Sequence, residues 1–144
     1  GTSNVGGVDY VVRVLNQVDR STERTILDNL DETDPDVADA IKNRMFVFDN
    51  IGELDDRSIQ RLLREVDTKD LGVALRGATD RTKERILANM STRASQMLRE
   101  EMEVMGPVRV SAVDQSQQRI VNAVRRLEEL EEITVSRGDQ DALV

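Results

Sequence analysis

Any chemistry in this chain must come from carboxylates, guanidinium groups and hydroxyls, because its 144 residues include no histidine, cysteine or tryptophan. Zinc sites built on Cys or His, Ser-His-Asp and Cys-His triads, redox dithiols and haem ligation by His or Cys all lack their atoms. Paired acids at Asp55-Asp56, Glu100-Glu101 and Glu131-Glu132 invite a metal site or a glycosidase carboxylate pair. Neighbours on a helix point about 100° apart, however, and no calcium-loop pattern with its central Gly and terminal Glu occurs. The glycines are scattered, so no phosphate-cradling loop is present. The expectation is a protein with no catalytic residues, no metal and no cofactor, acting through its surface rather than as an enzyme.

Charge is then the informative property. Acids outnumber bases by 28 to 20, a formal net charge of −8, which argues against a nucleic-acid partner because counterion release needs clustered cations. No apolar run approaches the ~18 residues of a membrane span, so direct membrane insertion is not expected. The local arrangement says more than the net value. Between Ser91 and Met105, Ala94, Leu98, Met102 and Met105 form one apolar stripe at helical spacing. Arg93 and Glu100, seven apart, nearly superpose on another face, with Glu101 at its edge. The plain reading is a solvated face with intrahelical ion pairs, each worth about 0.2–1 kcal/mol. The sharper one is a ridge of opposite charges presented to a partner.

The elements that must position this ridge are all helical. Gly1-Thr2-Ser3-Asn4 read as a lead and Gly6-Gly7 as the end of a linker, placing a lead and linker at 1–7. Val8, Val11, Val12, Leu15 and Val18 then recur at helical offsets, predicting an amphipathic helix. Asp19 precedes a second helix, and Asp34-Pro35 marks a third with an N-cap acid and proline at the first helical position. These three short helices, residues 8–44, resemble one armadillo- or HEAT-type unit. One such unit cannot bury its apolar face alone, so Val12, Leu15, Val37 and Ile41 are expected to stack on a neighbour.

Met45-Phe46-Val47-Phe48 follows, holding two of the three aromatics. It reads as a core plug between helical layers or as a hinge at 45–49. From residue 50 to 135, helix starts recur at Asp55, Asp67, Thr79 or Asp80, and Ser91. Gly106-Pro107 stops the fourth helix. Ser111-Ala112-Val113-Asp114 resembles a capping box opening the longest one. A short extended piece, Ile133-Thr134-Val135, precedes a turn-rich tail at 136–144. The fold class expected is all-α, an armadillo-like unit followed by a second helical subdomain.

Several phrases in fixed order resemble one family. They are Met45-Phe46-Val47-Phe48, Leu54-Asp55-Asp56-Arg57-Ser58 through Asp67, Ala74-Leu75-Arg76-Gly77-Ala78, Asn89-Met90-Ser91, Gly106-Pro107-Val108-Arg109 and Arg125-Arg126-Leu127. Together they are similar to the C-terminal domain of FliG, the bacterial flagellar rotor and switch protein, over nearly the whole chain. The resemblance implies a six-helix charged subdomain at 50–135, and a Gly-Gly linker and Met-Phe-x-Phe segment (Gly6, Gly7, Met45, Phe46, Val47, Phe48) that act as hinges in switching. It also implies that Arg76, Arg93, Glu100, Glu101 and Arg109 match the family's torque-generating charges, with Arg76 standing where lysine is common. The implied partners are the cytoplasmic loop of the stator protein MotA, neighbouring FliG subunits and FliM. The implied location is cytoplasmic, at the inner face of the membrane in the C-ring of the flagellar basal body. The family's N-terminal domain and its histidine-containing FliM surface have no match here. Two alternatives come from other classes: an MgtE-like cytosolic magnesium-sensing domain, and a generic armadillo or HEAT adaptor.

Overall fold

Helix starts are where the sequence speaks most directly. The computed structural model describes residues 3–135; the lead residues Gly1 and Thr2 and the tail expected at 136–144 lie outside the described residues. Five of the expected starts are closed by a side-chain cap. Asp19 accepts from the Thr22 amide at 2.8 Å, Asp34 from Val37 at 3.3 Å and Asp67 from Asp70 at 3.3 Å. Thr79 accepts from Thr82 at 3.3 Å and Ser91 from Ala94 at 3.1 Å. Each satisfies an amide that the first helical turn leaves without a partner. The described residues form helices and connections with no strand, so the chain is all-α.

The chain divides between Val47 and Phe48. The first unit has three helices, α1 (Ser3–Leu15), α2 (Arg20–Thr33) and α3 (Pro35–Met45). Gly6 and Gly7, expected as a linker, lie inside α1. Each glycine costs a helix interior about 1 kcal/mol against alanine, but the apolar stripe that follows from Val8 anchors the same helix. Val8, Leu15 and Ile41 are buried together, with Val11, Val12, Val18, Ile26, Leu27, Leu30, Val37, Ala40 and Met45 packed around them. This corrects the stacking surface. Leu15 and Ile41 are fully enclosed by their own unit, and Val12 and Val37 are half-buried against the same core. Three short helices can turn one stripe each inward, which an isolated pair could not. Ion pairs from Lys42 to Asp31 (2.8 Å) and from Arg44 to Asp9 tie α3 to its two neighbours.

The second unit opens with a 3-10 segment, Phe48–Glu53, followed by α4 (Asp56–Leu63), α5 (Thr68–Leu75), α6 (Asp80–Ala88), α7 (Thr92–Met105) and α8 (Val110–Glu129). Its core is aliphatic apart from Phe48: Ile51, Ile59, Leu62, Leu75, Ile86, Leu98, Val124 and Leu127 are each at most 2% exposed. The capping box expected at Ser111–Asp114 is not a helix start. Arg109 occupies the N-cap position without a side-chain hydrogen bond, and Ser111 and Asp114 lie within α8. Gly106, at φ +70°, and Pro107 have already interrupted the chain, so the helix restarts before the box is reached. Ile133 and Val135 are buried, and no strand forms among the described residues.

Helix α8 packs most extensively on α5, fastened by a fork. Arg119 donates to both oxygens of Asp70, at 2.9 and 2.7 Å, and Ser116 adds a hydroxyl at 3.3 Å. The hydrogen bonds from Arg119 hold the Asp70 carboxyl below its ordinary pKa. A depressed folded-state pKa contributes stability above the unfolded value near 4, lost as pH falls through the folded one. We expect the melting temperature of Asp70→Asn to fall less between pH 5 and pH 2 than that of the parent, checked by circular dichroism. Equal drops would show that the fork carries no linkage.

Candidate functional site

Helix α7 is a thinly attached helix. Only Leu98 is fully buried on it; Ala94, Met102 and Met105 of the expected stripe are half-buried. It approaches α5 over Gly72, where an added Cβ would lie 3.3 Å from Met105 Cε, 3.5 Å from Leu98 Cδ1 and 3.6 Å from Met102 Cγ. The glycine lets three α7 side chains lie directly on the α5 backbone. The rest of α7 is left to the outside.

That outer surface carries Arg93, Arg99, Glu100 and Glu103, all exposed, with the half-buried Glu101 at its edge. None of the five has a side-chain hydrogen bond or ion pair among the described residues. The same holds for Arg109, exposed at the head of α8. The intrahelical ion pairs expected on a solvated face are therefore not formed here. Elsewhere in the unit some basic side chains are engaged, Arg61 with Glu65 at 2.8 Å, Arg85 with Asp56 at 2.7 Å and Arg119 with Asp70. Arg57, Arg64, Arg81 and Lys83, like the α7 charges, have no side-chain hydrogen bond or ion pair among the described residues. Arg85 and Asn89 hold the Asp56 carboxyl below its usual range, as expected for a carboxylate with charged and amide donors.

Two apolar residues share the ridge and were not anticipated. Met97 is 58% and Val104 84% exposed, and both fall within an arc of about 60° with Arg93 and Glu100 at 100° per residue. Their signal lay in the sequence: neither fits the stripe 94, 98, 102, 105. Arg76 differs from the other candidates. Its guanidinium donates to the carbonyls of Met102 (2.8 Å) and Gly106 (2.7 Å), the end of α7. No group of three or more acidic residues is disposed to hold a metal among the described residues.

The hinge candidates separate as well. Met45 closes α3, and Phe46 caps it in an extended conformation, φ −133° and ψ 119°, its amide donating to Lys42 O at 3.2 Å. Val47 is 49% exposed. Phe48 is buried in the second unit. Next to it, Asp49 accepts from the Thr79 amide at 2.9 Å and, through its carbonyl, from Thr82 Oγ1 at 3.2 Å.

Helix α7 is thus a charge-dense helix lying on the outside of an all-helical frame. The chain belongs to the FliG C-terminal domain family, which matches residues 28–135. It is 52% identical over 142 residues to the flagellar motor switch protein FliG of Thermotoga maritima, and 50% identical over 142 residues to that of Bacillus subtilis. Each match covers 99% of this chain and 42% of the relative, so the chain spans about two fifths of their length. Full-length FliG from Aquifex aeolicus aligns with a TM-score of 0.79 at 36% identity, over 85% of this chain and 38% of that one. A FliG fragment from Helicobacter pylori aligns at 0.68 and 34% identity, over 88% and 56%. These relatives are named as motor switch proteins, not as enzymes. No helix among the described residues is long and apolar enough to cross a membrane.

Proposed function

We propose that this chain is the stator-facing part of a flagellar rotor, in which α7 engages the cytoplasmic loop of MotA through charge. The observation that carries the reading is the set of five unpaired charges on α7 together with Arg109. A rotor tooth must engage, transmit force and release repeatedly. Exposed charges steer encounter and separate readily, whereas desolvated anchors worth 2 kcal/mol or more slow release. Screening over about 8 Å at physiological salt keeps each contact local.

In the same reading the rotor sits in the C-ring at the cytoplasmic face of the membrane, with FliM and neighbouring FliG subunits as its other partners. The first unit stacks on an armadillo-like domain of the same or a neighbouring FliG. Tyr10 and Val14, exposed on α1 at 63% and 39%, replace the enclosed Leu15 and Ile41 as the surface for that contact. The pivot for switching narrows to Phe46 and Val47, since Phe48 and Asp49 are fastened into the second unit.

Crosslinking of this chain to the purified MotA loop tests the central claim. Capture at low salt that disappears at high salt is expected. Salt-insensitive capture, or none at either salt, would sink it.

A further inference from the structure

Helix α7 ends under unfavourable conditions. Its last turn carries no basic residue, and Glu100, Glu101 and Glu103 crowd its C-terminal half. The final carbonyls of a helix lack intrahelical donors and concentrate about half an elementary negative charge. A helix in that position needs a cation and a donor, and its own sequence supplies neither.

Both come from α5. Arg76 is the C-cap residue of α5, and one of its guanidinium nitrogens reaches across to Met102 O and Gly106 O at 2.8 and 2.7 Å. These oxygens bracket the last turn of α7 and the positive-φ glycine that ends it. The platform under Arg76 is itself held. Gly77 packs so tightly on α8 that a Cβ there would come within 2.7 Å of Val113 Cγ1. Gln117, also on α8, donates to Ala74 O at 2.9 Å. So α8 caps α5, and α5 caps α7.

We infer that Arg76 is a positioning residue of the charged ridge. It fixes the end of α7 and the turn leading to Arg109, and it acts through Glu100, Glu101 and Arg109 rather than by touching the stator. The inference rests on the stator-facing reading of α7 given above. It also accounts for the contrast among the basic residues of the site: Arg93 and Arg109 have no partner among the described residues, while Arg76 is engaged by two carbonyls.

The test uses the chain with Arg76→Lys, Arg76→Gln and Arg76→Glu, read by amide hydrogen exchange along α7 and by capture of the MotA loop at low salt. Exchange at Val104 and Met105 should rise about five- to tenfold in Arg76→Gln, the range expected for a lost charged cap. It should rise further in Arg76→Glu and less in Arg76→Lys, which keeps the charge and a donor. Adding Glu103→Lys to Arg76→Gln returns a cation to the last turn of α7 and should recover protection there; since Glu103 is itself a ridge charge, this variant is read by exchange alone. Unchanged α7 exchange in Arg76→Gln, with capture lost in Arg93→Glu, overturns the inference and leaves the ridge reading standing. Raised exchange in Arg76→Gln, with undiminished capture by Arg93→Glu, overturns the ridge reading and the role in stator coupling assigned to Arg76.

Discussion

A rotor protein carrying both Arg93→Glu and Glu100→Arg will fold as its parent does and will not drive swimming. Both side chains are exposed, and neither has a partner among the described residues, so the melting temperature should move by no more than ~0.5 kcal/mol implies for surface substitutions. The two changes cancel in net charge, which leaves the bulk −8 untouched and isolates the pattern. Against an unchanged stator, each reversed residue meets a like charge. One exposed pair at 4 Å is worth about 1 kcal/mol in water, and the sign reversal removes attraction while adding repulsion. The larger effect is on encounter, because steering depends on the summed field of the ridge. Reversal of the facing charges on the stator should restore swimming in part. Normal swimming by the double variant, measured in cells lacking the parental protein, would remove the ridge from torque generation.

What could be read in the sequence followed from how local each feature is. A cap involves a side chain and an amide three residues on, so Asp19, Asp34, Asp67, Thr79 and Ser91 declared their helices directly. Gly106-Pro107 ended α7 for the same local reason. Local rules misled where a longer stretch outweighed them. Gly6-Gly7 is a poor helix segment, but α1 is anchored from Val8 onward. Ser111–Asp114 has the composition of a start, yet the chain had already restarted at Val110. The enclosure of Leu15 and Ile41 is a tertiary fact: a periodic stripe shows that a face is apolar and not what covers it.

The candidate site shows the same division. Of the α7 charges, spacing and family resemblance singled out Arg93, Glu100 and Glu101 but not Arg99 or Glu103. The lack of partners was not legible, because i to i+4 neighbours such as Arg99 and Glu103 could equally have paired. The role of Arg76 was hidden for a different reason. Its acceptors, Met102 and Gly106, are backbone oxygens some 26 and 30 residues away, and a backbone carbonyl leaves no signature in composition. The sequence did hold one clue, the missing cation in the last turn of α7.

The two phenylalanines of the linking segment should behave oppositely when truncated. Phe48 is 4% exposed in the core of the second unit, and Phe48→Ala should cost about 3–5 kcal/mol, the range for a buried phenylalanine. Phe46 sits at the end of α3, half-buried, and Phe46→Ala should cost clearly less. If Phe46 and Val47 form the pivot, stability and switching are then separable. The backbone of Phe46, at φ −133° and ψ 119°, is the extended conformation that a following proline requires. Val47→Pro therefore stiffens the segment without forcing Phe46 into a new conformation. Val47→Gly loosens the same position by widening its accessible backbone states. In a complete rotor, the proline variant should hold rotation in one sense while torque persists, and the glycine variant should change reversal frequency. Chemical denaturation of the chain and reversal counts of tethered cells supply the two readouts. Parental reversal in both Val47 variants would make the segment packing alone, and a Phe46→Ala loss as large as that of Phe48→Ala would assign both rings to the core.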